Sequence, residues 1–369
     1  MGKILISKEL SDKVLMIGVY WKNHAPGGVS SVVNTYAEYF EGINYIVTTA
    51  SRDECKIKKT FVGITGLFFF LCQMVFNKRI QIVHVQGSHG TSFDRKKLFV
   101  KIAKMFDKKV VWHMHASQFV PFYESRKDKE EIVHCLNMSD TLIVLSHYYK
   151  DFYMKIGVRP EKIIILDNIV PYPDIRKESE LYDGKRNLHI LFLGEISQRK
   201  GAFDLIKAIE THSYLRDKIN IRIGGNGEVE NLHNAILNSN LEDCITFEGW
   251  VDGEKKVNLL NWADVYILPS YNEGLPISIL EALSYNCPII STPVGGIPEV
   301  VITNNTSHNK QNGILVEPGD IDQIAASIHY YIENPEQVEI QGKNSGKIVE
   351  KYYPKVVFSN LKEIYMNLL

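Results

Sequence analysis

The chain has 369 residues, 45% apolar and 23% charged, the proportions of a globular protein with enough chain for about two domains. That balance excludes a disordered, collagen-like or disulfide-stapled chain, and a formal net charge of −1, from 42 basic and 43 acidic side chains, gives no global mark of a nucleic-acid binder. Five scattered cysteines (Cys55, Cys72, Cys135, Cys244, Cys287) with no CxxC pair read as reduced thiols in a cytoplasmic protein, not as a zinc site or disulfide framework.

The opening MGKILISKELSDKVLMIGVY interrupts its apolar stretch with Glu9 and Asp12, as a secretory signal would not, so no export is expected. VLMIGVY (14–20) reads as a strand entering a Gly27-Gly28 turn and a helix from about Val29 to Phe40. The longest uncharged run extends from Thr60 to Asn77. As a helix, residues 61–76 reach only ~24 Å against a hydrocarbon core of ~30 Å, too short to span comfortably. Apolar residues on every side leave two readings open, a buried helix and one resting on a membrane surface.

IQIVHVQ (80–86) leads to Ser92 and a basic helix through Phe106, and strand-like KVVWHMH (109–115), TLIVLS (141–146) and IIILDN (163–168) follow. Strand, loop and helix in alternation predict a mostly parallel sheet covered on both faces. Pro171 to Lys185, rich in proline and charge, reads as a linker. A second series follows: LHILFLG (188–194), INIRIGG (219–225), CITFEGW (244–250), DVYILPS (264–270), CPIISTP (287–293) and GILVEP (313–318), each but the third clearly followed by a helical pattern. The end reads as a helix after Pro354, with Val357, Leu361, Ile364 and Tyr365 on one face. The expected fold class is therefore α/β, with two doubly wound Rossmann-like domains, residues 1–172 and 173–353, facing across a cleft, and helix 354–369 packed back on the first domain.

The segment LPSYNEGLPISILEALSYNCPIISTPVGGIPEVV (268–301) carries the most chemistry. Its loop holds Glu273, Gly274 and Leu275, Pro276 is placed as the first residue of a helix, and Glu281 follows on that helix. A helix start suits a phosphate group, whereas two carboxylates beside it suit hydroxyls such as those of a sugar and a ribose. GEISQRKGAFDLI (194–206) places Arg199 and Lys200 at another strand's carboxyl end. A unit charge about 4 Å from a phosphate oxygen is worth ~4 kcal/mol at an effective dielectric of ~20 before desolvation, so two cations and a helix terminus suit a departing diphosphate without a metal. Gly225 and Gly227 in GGNGEVE (224–230) allow close backbone approach to a ligand.

With NEGLPISILEAL followed by PIISTPVGGIPEVV and NGILVEPGD, the chain resembles glycosyltransferase family 4, retaining enzymes of the two-domain GT-B fold. PGGVSSVV (26–33), IVHVQGSHGTSFDRKKLF (82–99), WHMHASQFVPFY (112–123), IVLSHYYKDF (143–152) and FEGWV (247–251) extend the resemblance over nearly the whole chain. The resemblance implies that Glu273 meets the transferred sugar and that Glu281 holds the ribose hydroxyls. It implies that Gly274, Leu275 and Pro276 contact sugar and phosphate, and that Arg199 and Lys200 grip the diphosphate. His115 matches the histidine beside the anomeric carbon, and Gly27-Gly28 the loop closing over the diphosphate. Two departures stand out: Glu195 where many relatives carry arginine, and Ala116 where they often carry glycine.

The reaction so implied is transfer from a nucleotide diphosphate sugar, UDP-linked first and GDP-linked second, to a glycan or lipid-linked acceptor in cell-surface polysaccharide synthesis. No cofactor or metal is expected: the only DxD, Asp320-Ile321-Asp322, reads as a helix cap. His113 and His115 share a strand face able to chelate metal, but Ser117 and Gln118 stand where an HxHxDH hydrolase has its further ligands. His84, Arg95 and Lys96 are the acceptor-site candidates, although His84 reads equally as a buried hydrogen-bonded residue and Arg95-Lys96-Lys97 as a solvated helix face. A non-hydrolysing nucleotide-sugar 2-epimerase and an inert nucleotide-sugar-binding partner are the competing classes. Residues 1–185 hold 27 basic and 20 acidic side chains, and residues 186–369 hold 15 and 23. That polarity, with the run at 61–76, marks the first domain as the one to meet an anionic membrane surface and makes the protein peripheral to it.

Overall fold

Two six-stranded sheets, parallel in every described pairing, frame the computed structural model, which describes residues 3–20, 28–50, 55–115, 117–175, 182–303 and 310–369. The chain divides into two compact units, Met1–Ile169 with Tyr352–Leu369, and Val170–Lys351.

The first unit contains strands β1 (Val14–Val19), β2 (Asn44–Thr49), β3 (Ile82–Gly87), β4 (Lys109–Met114), β5 (Thr141–Val144) and β6 (Ile163–Ile165), in the order β2-β1-β3-β4-β5-β6. Its helices are α1 (Lys8–Ser11), α2 (Gly28–Tyr39), α3 (Lys56–Phe76), α4 (Gly90–Met105), α5 (Phe119–Glu124), α6 (Lys129–Met138) and α7 (His147–Lys155). β3 is buried along its whole length, which is why it reads as a continuous apolar run. β2 escaped the sequence reading because it is an edge strand, mostly half-buried, and NYIVTT has no such run.

α3 is 21 residues long, about 31 Å, so length no longer argues against a span. Its inner side joins the core through Phe70 and Met74, with the Phe70 ring 5.0 Å from that of Phe99. Gly66 lies so close to β2 that an added Cβ would sit 2.6 Å from the Val47 carbonyl oxygen. The buried-helix reading therefore fails for the other side, where Phe61, Ile64 and Phe68 are exposed.

α4 splits the basic triplet that looked like one solvated face. Lys96 falls on the same helical side as Phe93, Phe99, Val100 and Ala103, all buried. Lys97 points outward to Asp94, Asp128 and Glu131, while Arg95 Nη2 donates to Thr49 Oγ1 at 2.8 Å.

The second unit holds β7 (Leu188–Leu193), β8 (Ile219–Gly224), β9 (Ile245–Gly249), β10 (Val265–Leu268), β11 (Ile289–Ser291) and β12 (Gly313–Leu315), ordered β12-β11-β10-β7-β8-β9. Its helices are α8 (Ala202–Thr211), α9 (Val229–Asn238), α10 (Gly253–Trp262), α11 (Ile277–Ser284), α12 (Ile321–Glu333) and α13 (Pro335–Ile348). α10 supplies the helix that the sequence did not show after the third strand. At the start of α12, Asp320 Oδ1 accepts the Gln323 N–H at 2.9 Å, the cap expected of it. Asp322 lies 2.8 Å from His212 Nε2.

After Pro354, α14 (Pro354–Met366) returns to the first unit. Val357, Phe358, Leu361, Ile364 and Tyr365 are buried, and the Phe358 ring lies 5.1 Å from Tyr36 and 5.3 Å from Tyr39.

Candidate functional site

In the second unit the sheet order reverses at β7, whose neighbours β10 and β8 lie on opposite sides, so the loops after β7 and β10 part at a crevice beyond the strand ends. Arg199 and Lys200 occupy a 3₁₀ turn, Gln198–Lys200, after β7. Gly201 ends that turn at φ 73°, and a Cβ there would lie 2.2 Å from the Pro269 carbonyl oxygen. Only glycine lets the cationic turn approach the β10 loop this closely. Backbone joins them too, the Tyr271 N–H donating to the Arg199 carbonyl at 2.8 Å.

Lys200 Nζ forms an ion pair with Glu273, whose Oε1 also accepts from Ser270 Oγ at 2.8 Å. Glu273 is 5% exposed, so this carboxylate is positioned by burial, a cation and a hydroxyl together. Arg199 donates through Nη1 to the Asn272 carbonyl at 3.1 Å and through Nη2 to Glu195 Oε2 at 2.7 Å. The residue that departs from the family pattern thus holds one of the two cations. Gly274 accepts from the Gly296 N–H at 2.6 Å, which ties the Glu273 loop to the turn after β11. Leu275 is buried, and Pro276 is the extended N-cap of α11, one residue earlier than the helical position expected of it. One turn into α11, buried Glu281 meets Lys256 Nζ of α10 at 2.6 Å. The Glu281 charge holds the Lys256 ammonium above its ordinary range.

Gly225, at φ 155°, passes so close to the β7 loop that a Cβ would fall 1.8 Å from the Gly194 carbonyl oxygen. Gly227 forms an isolated bridge to Ile196. Both glycines therefore pack the β8 loop against the Arg199–Lys200 loop. The close approach expected toward a ligand is, in this structure, an approach of backbone to backbone.

The first unit gathers a different set. Gly28 begins α2 beyond β1, whereas Gly27 and Ala116 lie outside the described residues. His115 follows β4, and its ring centroid is 4.1 Å from that of His113. Its Nε2 lies 2.7 Å from Gln86 Oε1, the Gln86 amide nitrogen lies 3.4 Å from His84 Nε2, and His84 Nδ1 lies 2.5 Å from the Tyr365 hydroxyl. One protonation pattern satisfies this chain: His115 donates from Nε2, Gln86 donates to His84, and His84 donates from Nδ1 to Tyr365. It leaves His115 Nδ1 with a lone pair. Burial first, then the Lys96 charge, pushes His115 down to about 3, so its imidazole is neutral at physiological pH.

The acceptor candidates form no accessible patch. His84 is fully buried and joined to α14, which is the buried alternative of its two readings. Lys96 is also fully buried, with Nζ 3.0 Å from Ser92 Oγ, and burial with the nearby Arg95 charge pushes it down to about 7. Arg95 turns toward β2 because its position on α4 faces Thr49. The sequence reading missed Gln86, Tyr365, Ser270 and Lys256, of which only Gln86, two residues beyond His84 on one strand face, carries a periodic signal.

Residues 173–347 match the family described as glycosyl transferases group 1. That segment is a group 1 glycosyl transferase domain. Over 318 residues the chain is 26% identical to the uncharacterized glycosyltransferase MJ1069 of Methanocaldococcus jannaschii, covering 84% of this chain and 74% of that protein. It is 25% identical over 232 residues to the amylovoran biosynthesis glycosyltransferase AmsK of Erwinia amylovora, covering 60% of this chain and 55% of AmsK. HepE of Anabaena, solved in complex with UDP and glucose, superposes with a TM-score of 0.74 at 18% identity, over 97% of this chain and all (100%) of HepE. The likeness to HepE establishes the GT-B fold. The two cations, Glu273 and Glu281 all lie inside the group 1 domain.

Proposed function

We propose that the protein is a retaining glycosyltransferase that moves a sugar from a nucleotide diphosphate sugar, UDP-linked by first preference, to a hydroxyl of a glycan or lipid-linked acceptor at the cytoplasmic face of a membrane. The observation that carries this reading is the meeting of Arg199, Lys200 and Glu273 at the sheet reversal of a group 1 domain, with Glu281 one turn into α11. The complexes of HepE with UDP and UDP-glucose support the choice of donor, and the name of AmsK supports a polysaccharide acceptor.

In this reading the bond between the anomeric carbon and the diphosphate oxygen breaks, and its electron pair leaves with the diphosphate. Arg199 and Lys200 exchange their present carboxylate partners for that developing charge, helped by the N–H groups at the start of α11. The acceptor oxygen forms the new bond on the same face, and its proton passes to a diphosphate oxygen. Glu281 accepts from ribose hydroxyls, and Glu273 is freed to accept from the sugar. His115 is read as contributing a neutral imidazole to the sugar.

Metal independence belongs to the same proposal. Asp320 is engaged as a helix cap and Asp322 with His212, which supports reading the DxD as structural. The expected result is transfer from UDP-hexose that persists in excess chelator and yields a product whose anomeric configuration, read by nuclear magnetic resonance, matches the donor. Loss of turnover on chelation with recovery on adding manganese, or an inverted product, would refute the corresponding part.

A further inference from the structure

α3 presents Ile57, Phe61, Ile64, Phe68, Leu71 and Val75 on one outer stripe, at the alternating four- and three-residue steps of a single helical face. These side chains are 38% to 83% exposed. Among the described residues, Ile57–Phe76 is the one helix apolar and long enough to cross a membrane, and most of its length is not buried. Scattered exposed apolar residues are ordinary, but a stripe about 27 Å long is not.

The charge around the stripe selects its occupant. Residues 52–79 contain six Lys and Arg against Asp53 and Glu54, a net charge of +4, with Lys56, Lys58 and Lys59 toward one end and Lys78 and Arg79 at the other, Arg79 also lying 3.7 Å from Asp12. Two-fold pairing of α3 with a second copy, parallel or antiparallel, sets cationic end against cationic end. A spanning helix would have to withdraw Phe70 and Met74 from the core and Gly66 from the backbone of β2. An anionic lipid leaflet meets both features at once, with acyl chains for the stripe and headgroup phosphates for its ends.

We propose that α3 lies in the plane of an anionic bilayer surface, its outer stripe at the boundary between headgroups and acyl chains and its two basic ends on lipid phosphates. The proposal takes its purpose from the lipid-linked acceptor read above, but the contact rests on α3 alone.

The test is flotation of the full chain with vesicles of phosphatidylcholine containing about one third phosphatidylglycerol, beside vesicles of phosphatidylcholine alone. The wild type is expected to float with the anionic vesicles, and about tenfold less with the neutral ones or in high salt. Combined Phe61→Ser, Phe68→Ser and Val75→Ser changes, all at exposed positions, should cut flotation at least about tenfold while leaving melting and UDP binding unaltered. Wild-type protein that stays unbound, or a triple variant that floats as well as wild type, overturns the proposal. So does a dimer that the triple variant dissolves in the absence of vesicle binding, or a membrane fraction that resists alkaline extraction, which would mean a spanning helix. Flotation without sugar transfer would keep the surface and remove the transferase reading, and transfer without flotation would do the reverse.

Discussion

Replacing Lys200 by alanine is expected to lower kcat at saturating donor by about 10²- to 10³-fold, the usual effect of removing one preorganised charge-stabilising donor. Lys200 is held beside Glu273 by the Gly201 turn, and Ser270 anchors the same carboxylate oxygen. Removing the cation also takes the Lys200 ammonium away from Glu273, which is 5% exposed, and this costs stability as well as turnover. The double variant Lys200→Ala with Glu273→Gln separates the two effects. It should melt closer to wild type than the single variant does, yet remain as slow, because a neutral amide relieves the buried charge but restores no cation. Unchanged kcat in Lys200→Ala would remove this lysine from the chemistry.

Mild acid should destabilise the first unit strongly. Burial pushes His84 down to about 3 and holds His113 well below its ordinary 6.5, and neither nitrogen of His113 has a hydrogen-bond partner among the described residues. Unfolded, both histidines titrate near 6.5, so in the window below that value the unfolded chain binds more protons than the folded one. Their neutral burial is therefore tolerated above pH 6.5, and below it both lower the stability as pH falls, His84 by about 1.4 kcal/mol per unit. Between pH 7 and pH 5 the loss from His84 is about 2 kcal/mol, and His113 adds to it in the same direction, against a typical domain stability of 5–15 kcal/mol. His115 is depressed for the same reason but keeps part of its surface exposed. His113→Phe removes two unpartnered nitrogens and should reduce the acid sensitivity in thermal melts across this range. Melting temperatures that hold constant from pH 7 to pH 5 would contradict the buried, neutral placement of these rings.

The parts legible in the sequence share a physical signature. Central strands such as β3 and β10 are buried along their length and so appear as apolar runs. The loops after β7 and β10 announce themselves by charge and glycine where a strand has just ended. What escaped depends on partners distant in sequence. His84 and Tyr365 stand 281 positions apart, and nothing local in either segment announces their bond. Arg95-Lys96-Lys97 looked like one cationic face, but adjacent helical residues point about 100° apart, and the apolar residues at 93, 99, 100 and 103 turn Lys96 alone inward. Glu195 was visible as a departure, but its grip on Arg199 required the folded turn. The run at 61–76 showed apolar residues on all sides; only folding revealed that one side is core and the other faces outward.

The loops after β7 and β10 and the first turn of α11 are expected to bind a nucleoside diphosphate. Calorimetric titration of UDP into the purified protein, beside its Glu281→Ala variant, measures this. Glu281 is buried against Lys256, on the helix whose start would receive the phosphates. Saturable one-to-one binding is expected, weakened about 10- to 100-fold in the variant, the range for losing a charged hydrogen-bond acceptor. Absence of saturable binding with both UDP and GDP, or equal affinity in wild type and variant, would contradict it.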